Sequence, residues 1–289
     1  MLSIDVYVVH AFSKDGEGGN AAGVVLHADA LTELEMKQIA KKVGYSETAF
    51  VSQSHHADVR VRFFTPEEEV DLCGHATIAT FHVLKEQGLL GSGRFTQETR
   101  AGVLEVEIRN DLTIMMQQRL PEFLPVTNHQ EIADSLKVPL EVLDDRFPIL
   151  IGFTGLRDIL IPIKSLTELL SIQPDFEKVK EISRQSDVVG YHLFTLETME
   201  DGIAHTRNFA PLYGIDEESA TGTSNGALAC YLFEQSLVLK KSSTLVMEQG
   251  YGMKLPSEIL VELTVAGEEI SHVTVGGKAT TLSVQHLDF

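Results

Sequence analysis

Short stretches of this sequence occur twice, about half a chain apart. Arg62-Phe-Phe-Thr-Pro66 returns as Arg207-Asn-Phe-Ala-Pro211, and Gly44-Tyr45 returns as Gly190-Tyr191. Cys73-Gly74 has a counterpart in Thr221-Gly222, each ahead of an apolar run, and Leu31-Thr-Glu-Leu34 reappears as Leu166-Thr-Glu-Leu169. Four matches in one order and at a nearly constant offset point to a duplicated unit. Duplication narrows the fold to two similar halves, which 289 residues can accommodate. Pro121 and Pro125 interrupt the pattern near mid-chain. We therefore expect a first lobe over 1–122, open to completion by a C-terminal strand at 279–289, and a second lobe over 123–278, joined by a link at 121–128.

Within each half the local pattern is readable. Residues 1–12 alternate and run apolar as a strand does, a glycine-rich link at 16–19 follows, and Ala-Ala-Gly-Val-Val-Leu-His makes the next strand. Residues 147–163 are the second-half counterpart. Thr32 followed by Glu35 is a capping box, and Met36, Ile39, Ala40 and Val43 follow at helical spacing. The segments beginning at Glu47, Asp58 and Gly102 read as strands rich in β-branched residues. The runs Ala-Thr-Ile-Ala-Thr-Phe-His-Val-Leu and Asn-Gly-Ala-Leu-Ala-Cys-Tyr-Leu-Phe are different, being apolar nearly all round. A helix without a polar stripe is a buried one. Each half is thus expected to wrap strands around one central helix.

Both buried helices start among small residues: Asp71-Leu-Cys-Gly-His-Ala-Thr77 and Ser219-Ala-Thr-Gly-Thr-Ser-Asn-Gly226. Such starts leave backbone N–H groups unblocked at the positive end of the helix dipole, a setting for a carboxylate or phosphate. Glycine, serine and threonine also simply cap helices, but their presence at equivalent places in a repeat favours a binding role. The halves differ after the shared Gly-Tyr. The first continues Ser46-Glu47-Thr48, the second His192-Leu193. Glu47 is therefore a carboxylate present in one half only, ahead of an apolar strand. In an apolar cleft its pKa would be raised, as a general acid/base requires.

Composition excludes other classes. The formal net charge is −19, which argues against a nucleic-acid or anionic-membrane surface. No apolar run approaches the roughly 18 residues of a membrane span, and the N-terminus has no basic leader. Two cysteines make no disulfide framework, so a cytoplasmic location is expected. His55 and His56 are adjacent and no metal-ligand spacing occurs, so no metal is expected. The Glu67-Glu68-Glu69 run reads as a solvated turn after Pro66. Cys230 reads as a small core residue. Cys73 has Thr221 at the matching second-half position.

The blocks Gly-Asn-Ala-Ala-Gly-Val (19–24), Gly-Tyr-Ser-Glu-Thr-Ala-Phe-Val (44–51), Arg-Phe-Phe-Thr-Pro (62–66), Asp-Leu-Cys-Gly-His-Ala-Thr (71–77) and Glu-Ser-Ala-Thr-Gly (218–222) together resemble the phenazine-biosynthesis isomerase (PhzF-like) family. The resemblance spans essentially the whole chain. It implies the diaminopimelate epimerase-like fold, an α+β architecture of two pseudo-symmetric lobes, each a strongly curved, mostly antiparallel sheet around a central helix. It further implies a cofactor-free site between the lobes, a homodimer, and a small carboxylate-bearing substrate. Glu47 is then the proton-carrying group, with His75 and Glu218 as its catalytic companions. Asn20, Ser46, Gly74, Gly222 and Thr223 line the pocket. The chain departs from the family pattern at Glu218-Ser219, where the family has Asp-Pro, at His10, where it has aspartate, and at Thr223-Ser224, where it has Ser-Ala. Two other readings keep the same site: a binding protein without catalysis, and an epimerase using Glu47 with a second group.

Overall fold

The structure is a computed structural model that describes residues 3–288. Met1 and Leu2, expected in the first strand, and Phe289, expected in the last, lie outside the described residues. The chain divides into two compact units, residues 1–117 with 276–289, and residues 118–275.

Unit 1 opens with β1 (Ser3–Ala11), which pairs antiparallel with β2 (Asn20–Val25). The link between them turns at Gly19, φ 82°, where a Cβ would lie 2.6 Å from the Ala11 carbonyl oxygen, so only glycine fits. Helix α1 (Glu33–Val43) begins at the expected capping box and ends at Gly44 in the left-handed region. Its Met36, Ile39 and Ala40 pack onto Val6, Val25, Phe50 and Phe64. Strand β3 (Glu47–Ser52) runs parallel to β2, with Ala22 opposite Glu47. β4 (Val59–Phe64) and β5 (Glu69–Val70) follow antiparallel. Alternation along β3 sends Phe50 toward α1 and Glu47 to the opposite face, where α2 (Gly74–Glu86) packs against β1, β2 and β3. An antiparallel meander follows: β6 (Gly93–Thr99), β7 (Gly102–Ile108) and β8 (Ile114–Gln118).

Unit 2 begins with β9 (Glu122–Pro125) and α3 (His129–Leu136). β9 pairs antiparallel with β10 (Leu150–Phe153), so the segment expected to be a link carries a sheet strand. Pro125 ends that strand, which is why it does not break the ladder. Next come β11 (Arg157–Pro162), α4 (Leu166–Ser171), α5 (Phe176–Gln185), β12 (Gly190–Thr195), β13 (Ala204–Ala210) and β14 (Ile215–Glu218). Then α6 (Gly222–Glu234) is buried from Gly222 to Phe233 and packs against β10, β11 and the later strand β16 (Ser257–Ala266), which follows β15 (Ser243–Gln249). β17 (Glu269–Gly277) is the last strand before the chain returns to unit 1. There β18 (Ala279–Asp288) pairs antiparallel with β1, bringing Asp288 opposite Ser3.

Both units are therefore curved sheets around one buried helix, an α+β architecture. The pairs β2–β3, β4–β6, β11–β12 and β13–β15 are parallel, whereas β1–β2, β3–β4, β6–β7, β12–β13 and β15–β16 are antiparallel. Among the described residues no helix is long and apolar enough to cross a membrane. Two local readings need correction. Glu67 and Glu68 are exposed at a turn, but Glu69 is drawn in by Arg62, which donates from Nε at 2.8 Å and from Nη2 at 2.6 Å. The Leu-Thr-Glu-Leu match is a likeness of letters: Thr32 caps α1, whereas α4 is capped by Ser165 and Thr167 lies inside the helix.

Candidate active site

In unit 1 three chain segments bring the chemistry together. Gly44, φ 77°, stops α1 and releases Tyr45 and Ser46 into β3, whose first residue is Glu47. Arg62 on β4 grips Glu69 on β5, which fixes the strand that leads to Cys73 and the start of α2. Cys73 makes no side-chain cap, so the first amides of α2 are free of one. A Cβ on Gly74 would touch only Met116 Cε, at 3.6 Å, so the backbone there borders open space and not packed chain.

His75 is the centre of this group. Its Nε2 lies 3.2 Å from Glu47 Oε2 and 3.4 Å from Ser46 Oγ, and its Nδ1 is 3.4 Å from Cys73 Sγ. The Glu47–His75 approach is close, but Oε2 has no aligned hydrogen-bond donor although it is buried. A buried carboxylate oxygen without a donor is costly. Burial pushes the Glu47 carboxyl up, and the His75 ring, with Ser46 and Cys73, more than reverses this, leaving it below the usual carboxylate range. The expected raised pKa is thus corrected: an imidazole neighbour, invisible in the local sequence, outweighs desolvation. Burial opposes charge on His75, but Cys73 and Glu47 lift it well above the ordinary imidazole value. Burial holds the Cys73 thiol up, in its neutral form. The pair can therefore exist as carboxylate and imidazolium, one ready to accept a proton and the other to donate.

Glu47, Cys73 and His75 each offer a donor atom within 4.8 Å of the others. Sγ is nearer Nδ1 than Nε2, 3.4 against 3.9 Å, while Glu47 stands at Nε2. An imidazole binds an ion at one nitrogen, in the ring plane.

In unit 2 the start of α6 combines hydroxyl and amide groups with the carboxyls of Glu218 and Asp158. Thr221, its N-cap residue, does not cap it. Its hydroxyl donates instead to Glu218 Oε2 at 2.7 Å, and its N–H donates to Gln249 Oε1 at 3.1 Å. The Thr223 carbonyl accepts from Thr154 Oγ1 at 3.0 Å. Ser224 donates to Asp158 Oδ2 at 2.5 Å. Asp158 is fully buried, and burial pushes it up to about 6 against the pull of Ser224 and the Gly190 N–H. His192 is pushed down to about 3 by burial, with Asn225 opposing, and is neutral.

The structure thus brings Ser46, Glu47, Gly74 and His75 together in unit 1, and Glu218, Gly222 and Thr223 together at the start of α6 in unit 2. Asn20 begins β2 on the same face as Ala22, the residue opposite Glu47. Sequence reasoning missed how close Cys73 stands to His75, met His192, Ser224 and Asn225 without giving them a role, and missed Asp158, Asn208 and Gln249 altogether. Asp158 carried a signal, a carboxylate next to Arg157 at the head of the apolar run Ile-Leu-Ile. Gln249 carried none.

Comparison with known proteins places these observations in a family setting. The family profile described as phenazine biosynthesis-like protein (PhzC-PhzF) matches residues 9–284. A Bacillus subtilis protein called uncharacterized isomerase YfhB is 35% identical over 98% of this chain and 97% of its own. Escherichia coli YddE, also called an uncharacterized isomerase, is 32% identical over 96% of each chain. The crystal structure of a Bacillus anthracis phenazine biosynthesis protein of the PhzF family covers both chains fully, with a TM-score of 0.93 at 32% identity. A hydroxyproline epimerase from Agrobacterium vitis shares the fold at a TM-score of 0.61 and 14% identity, covering 99% of this chain and 92% of that one.

Proposed function

Since the chain belongs to the phenazine biosynthesis-like (PhzC-PhzF) family, whose curated relatives carry the name isomerase, we propose that it is a cofactor-independent isomerase that shifts a proton within a small carboxylate-bearing substrate. Glu47 is the general acid/base. The observation that carries this reading is the buried Glu47–His75 pair, 3.2 Å apart, in which Oε2 lacks a hydrogen-bond donor. Its lowered pKa keeps this carboxylate ionised, ready to accept a proton from a substrate C–H, and makes it a weaker base than burial alone would. His75, charged beside it, stabilises the negative charge that develops when the proton leaves carbon. Glu47 then returns the proton to another carbon, and one carboxylate suffices when removal and return occur on the same face.

Recognition of the substrate carboxylate falls to the uncapped helix starts, where backbone N–H groups and the helix dipole favour an anion. This reconciles a chain of net charge −19 with an anionic substrate. Glu218, oriented by Thr221, accepts a hydrogen bond from a polar substituent of the substrate. The test is exchange of substrate protons in D2O, followed by proton NMR over a panel of cyclic and acyclic amino and hydroxy acids. The expected result is exchange with the parent protein and none above background with Glu47→Gln. Equal exchange by both proteins overturns the assignment.

A further inference from the structure

Unit 2 holds a buried chain of hydrogen bonds that connects two carboxyl groups, and its direction can be deduced. Ionised carboxylates only accept, so Ser224 donates to Asp158 Oδ2 at one end and Thr221 to Glu218 Oε2 at the other. Each hydroxyl has then used its proton and can only accept from within. Ser224 Oγ accepts from Asn208 Nδ2 at 3.4 Å, and Thr221 Oγ1 accepts from Gln249 Nε2 at 3.1 Å. The amide of Gln249 is thereby oriented, and its Oε1 accepts from Asn225 Nδ2 at 2.7 Å. Asn225 Oδ1 is left facing His192 Nε2 at 3.3 Å, so that nitrogen carries the proton. His192 Nδ1 is then the bare nitrogen, and it accepts from Asn208 Nδ2 at 3.2 Å.

Every assignment agrees with its neighbours, and Asn208 is the source from which both arms run outward. One arm reaches Asp158 through a single hydroxyl, and the other reaches Glu218 through His192, Asn225, Gln249 and Thr221. His192, Asn208, Ser224, Asn225 and Gln249 are all buried, so water is not a ready substitute for any link. Burial also keeps the His192 ring neutral, as the scheme requires. A protonated ring would turn Nδ1 into a donor against the Asn208 amide.

We propose that Asn208 and His192 are positioning residues for Glu218: the imidazole, held in its Nε2–H form by Asn208, orders the side chains that end in the Thr221–Glu218 hydrogen bond and so holds that carboxylate in one orientation. The importance of that orientation rests on Glu218 belonging to the site, but the ordering itself is read without turnover. A failure of the isomerase reading would leave the outcome below untouched, and the reverse also holds.

The experiment uses the full chain labelled with 15N in its histidine rings and 13C in its glutamate carboxyls, with Glu218→Gln identifying the Glu218 signal. At pH 7 the His192 ring should show a protonated Nε2 and a bare Nδ1. Asn208→Ala should mix the two ring tautomers and shift the Glu218 carboxyl signal. Thr221→Val, which cuts the last two links, from Gln249 and to Glu218, should shift Glu218 and leave His192 as it was. Side chains that merely fill space predict otherwise. A His192 ring with Nδ1 protonated in the parent protein overturns the proposal. So does a Glu218 signal unmoved in a folded Asn208→Ala protein. Should Asn208→Ala not fold, His192→Gln is measured in its place, and an unmoved Glu218 signal overturns the proposal in the same way.

Discussion

The starts of α2 and α6 are approached in the same way and finished differently. Arg62 grips Glu69 five residues before Gly74, and Arg207 grips Glu217 five residues before Gly222, through Nε and Nη2 each time. Each guanidinium also lies over a phenylalanine two residues on, Phe64 at 5.1 Å and Phe209 at 4.8 Å. Past these clamps the likeness ends. Unit 1 places a carboxylate, an imidazole and a thiol at the helix start, and unit 2 places the carboxyls of Asp158 and Glu218 among threonine, serine, a neutral imidazole and three amide side chains. The duplicated scaffold has kept the device that aims the helix while its two copies have acquired different chemistry. Unit 1 sets its carboxylate against an imidazole, and unit 2 sets its carboxyls against hydroxyls.

That contrast can be broken by experiment, most forcefully in turnover. Glu47→Gln should lower the proton-transfer rate by about 10²–10⁴-fold, the usual share of a general acid/base. Glu218→Gln removes an orienting acceptor and should cost roughly 10–100-fold, as a lost hydrogen bond to a charged group does. Equal losses would erase the distinction drawn between the units.

Stability gives the next largest contrast. Arg207 also donates to the Leu169 and Ile172 carbonyls, at 3.0 and 2.8 Å. Arg207→Ala strands these and the Glu217 carboxylate and should destabilise by about 3–5 kcal/mol in chemical denaturation. Arg62 shares its charge with exposed Glu33, and Arg62→Ala should cost ~1.5–3 kcal/mol. A reversed order would mean that the unit 1 clamp bears more of the fold than its exposure suggests.

The pH dependence is also unequal. Asp158 titrates near 6 in the folded chain against 3.8 ordinarily, so between those values the folded state holds a proton that the unfolded state has lost. Its contribution is therefore favourable at low pH and declines as pH rises from about 4 to 6, by up to about 3 kcal/mol. His192, depressed to about 3, acts in the opposite sense, its contribution being lost as pH falls from 6.5 toward 3. Denaturation of the parent and of Asp158→Asn across pH 4–7 separates them. The variant should gain on the parent as pH rises, and parallel curves would place the Asp158 titration elsewhere.

The smallest contrast concerns the repeated Leu-Thr-Glu-Leu. Thr32→Ala removes a capping box and should cost ~1 kcal/mol. Exposed Thr167→Ala, inside α4, should change stability by less than ~0.5 kcal/mol. Similar losses would restore this match as a true structural repeat.

Much of the fold was legible because its signals are local. The capping box at Thr32, the period-2 runs of β3, β4 and β7, and the stripe-free helices α2 and α6 each follow from neighbours within a few residues. Four residues around Glu47 and Gly74 were legible for the same reason, being embedded in short blocks. The strand at Glu122–Pro125 was not, because an edge strand that ends in proline looks like a link until its partner β10 is known. Glu69 was read as solvated because Arg62, which buries it, comes from a neighbouring strand.

The sequence by itself determined that two like units exist, that each surrounds a buried helix, and that one of them carries a carboxylate the other lacks. Only the tertiary structure decided what those groups meet. His75 draws the Glu47 carboxyl, which burial alone would push up, below the usual carboxylate range, and Asp158 meets Ser224, 66 positions further along the chain. Secondary structure depends on residues within one or two turns of each other. A buried group's charge, and the direction of a hydrogen bond, depend on whichever distant side chain the fold places beside it.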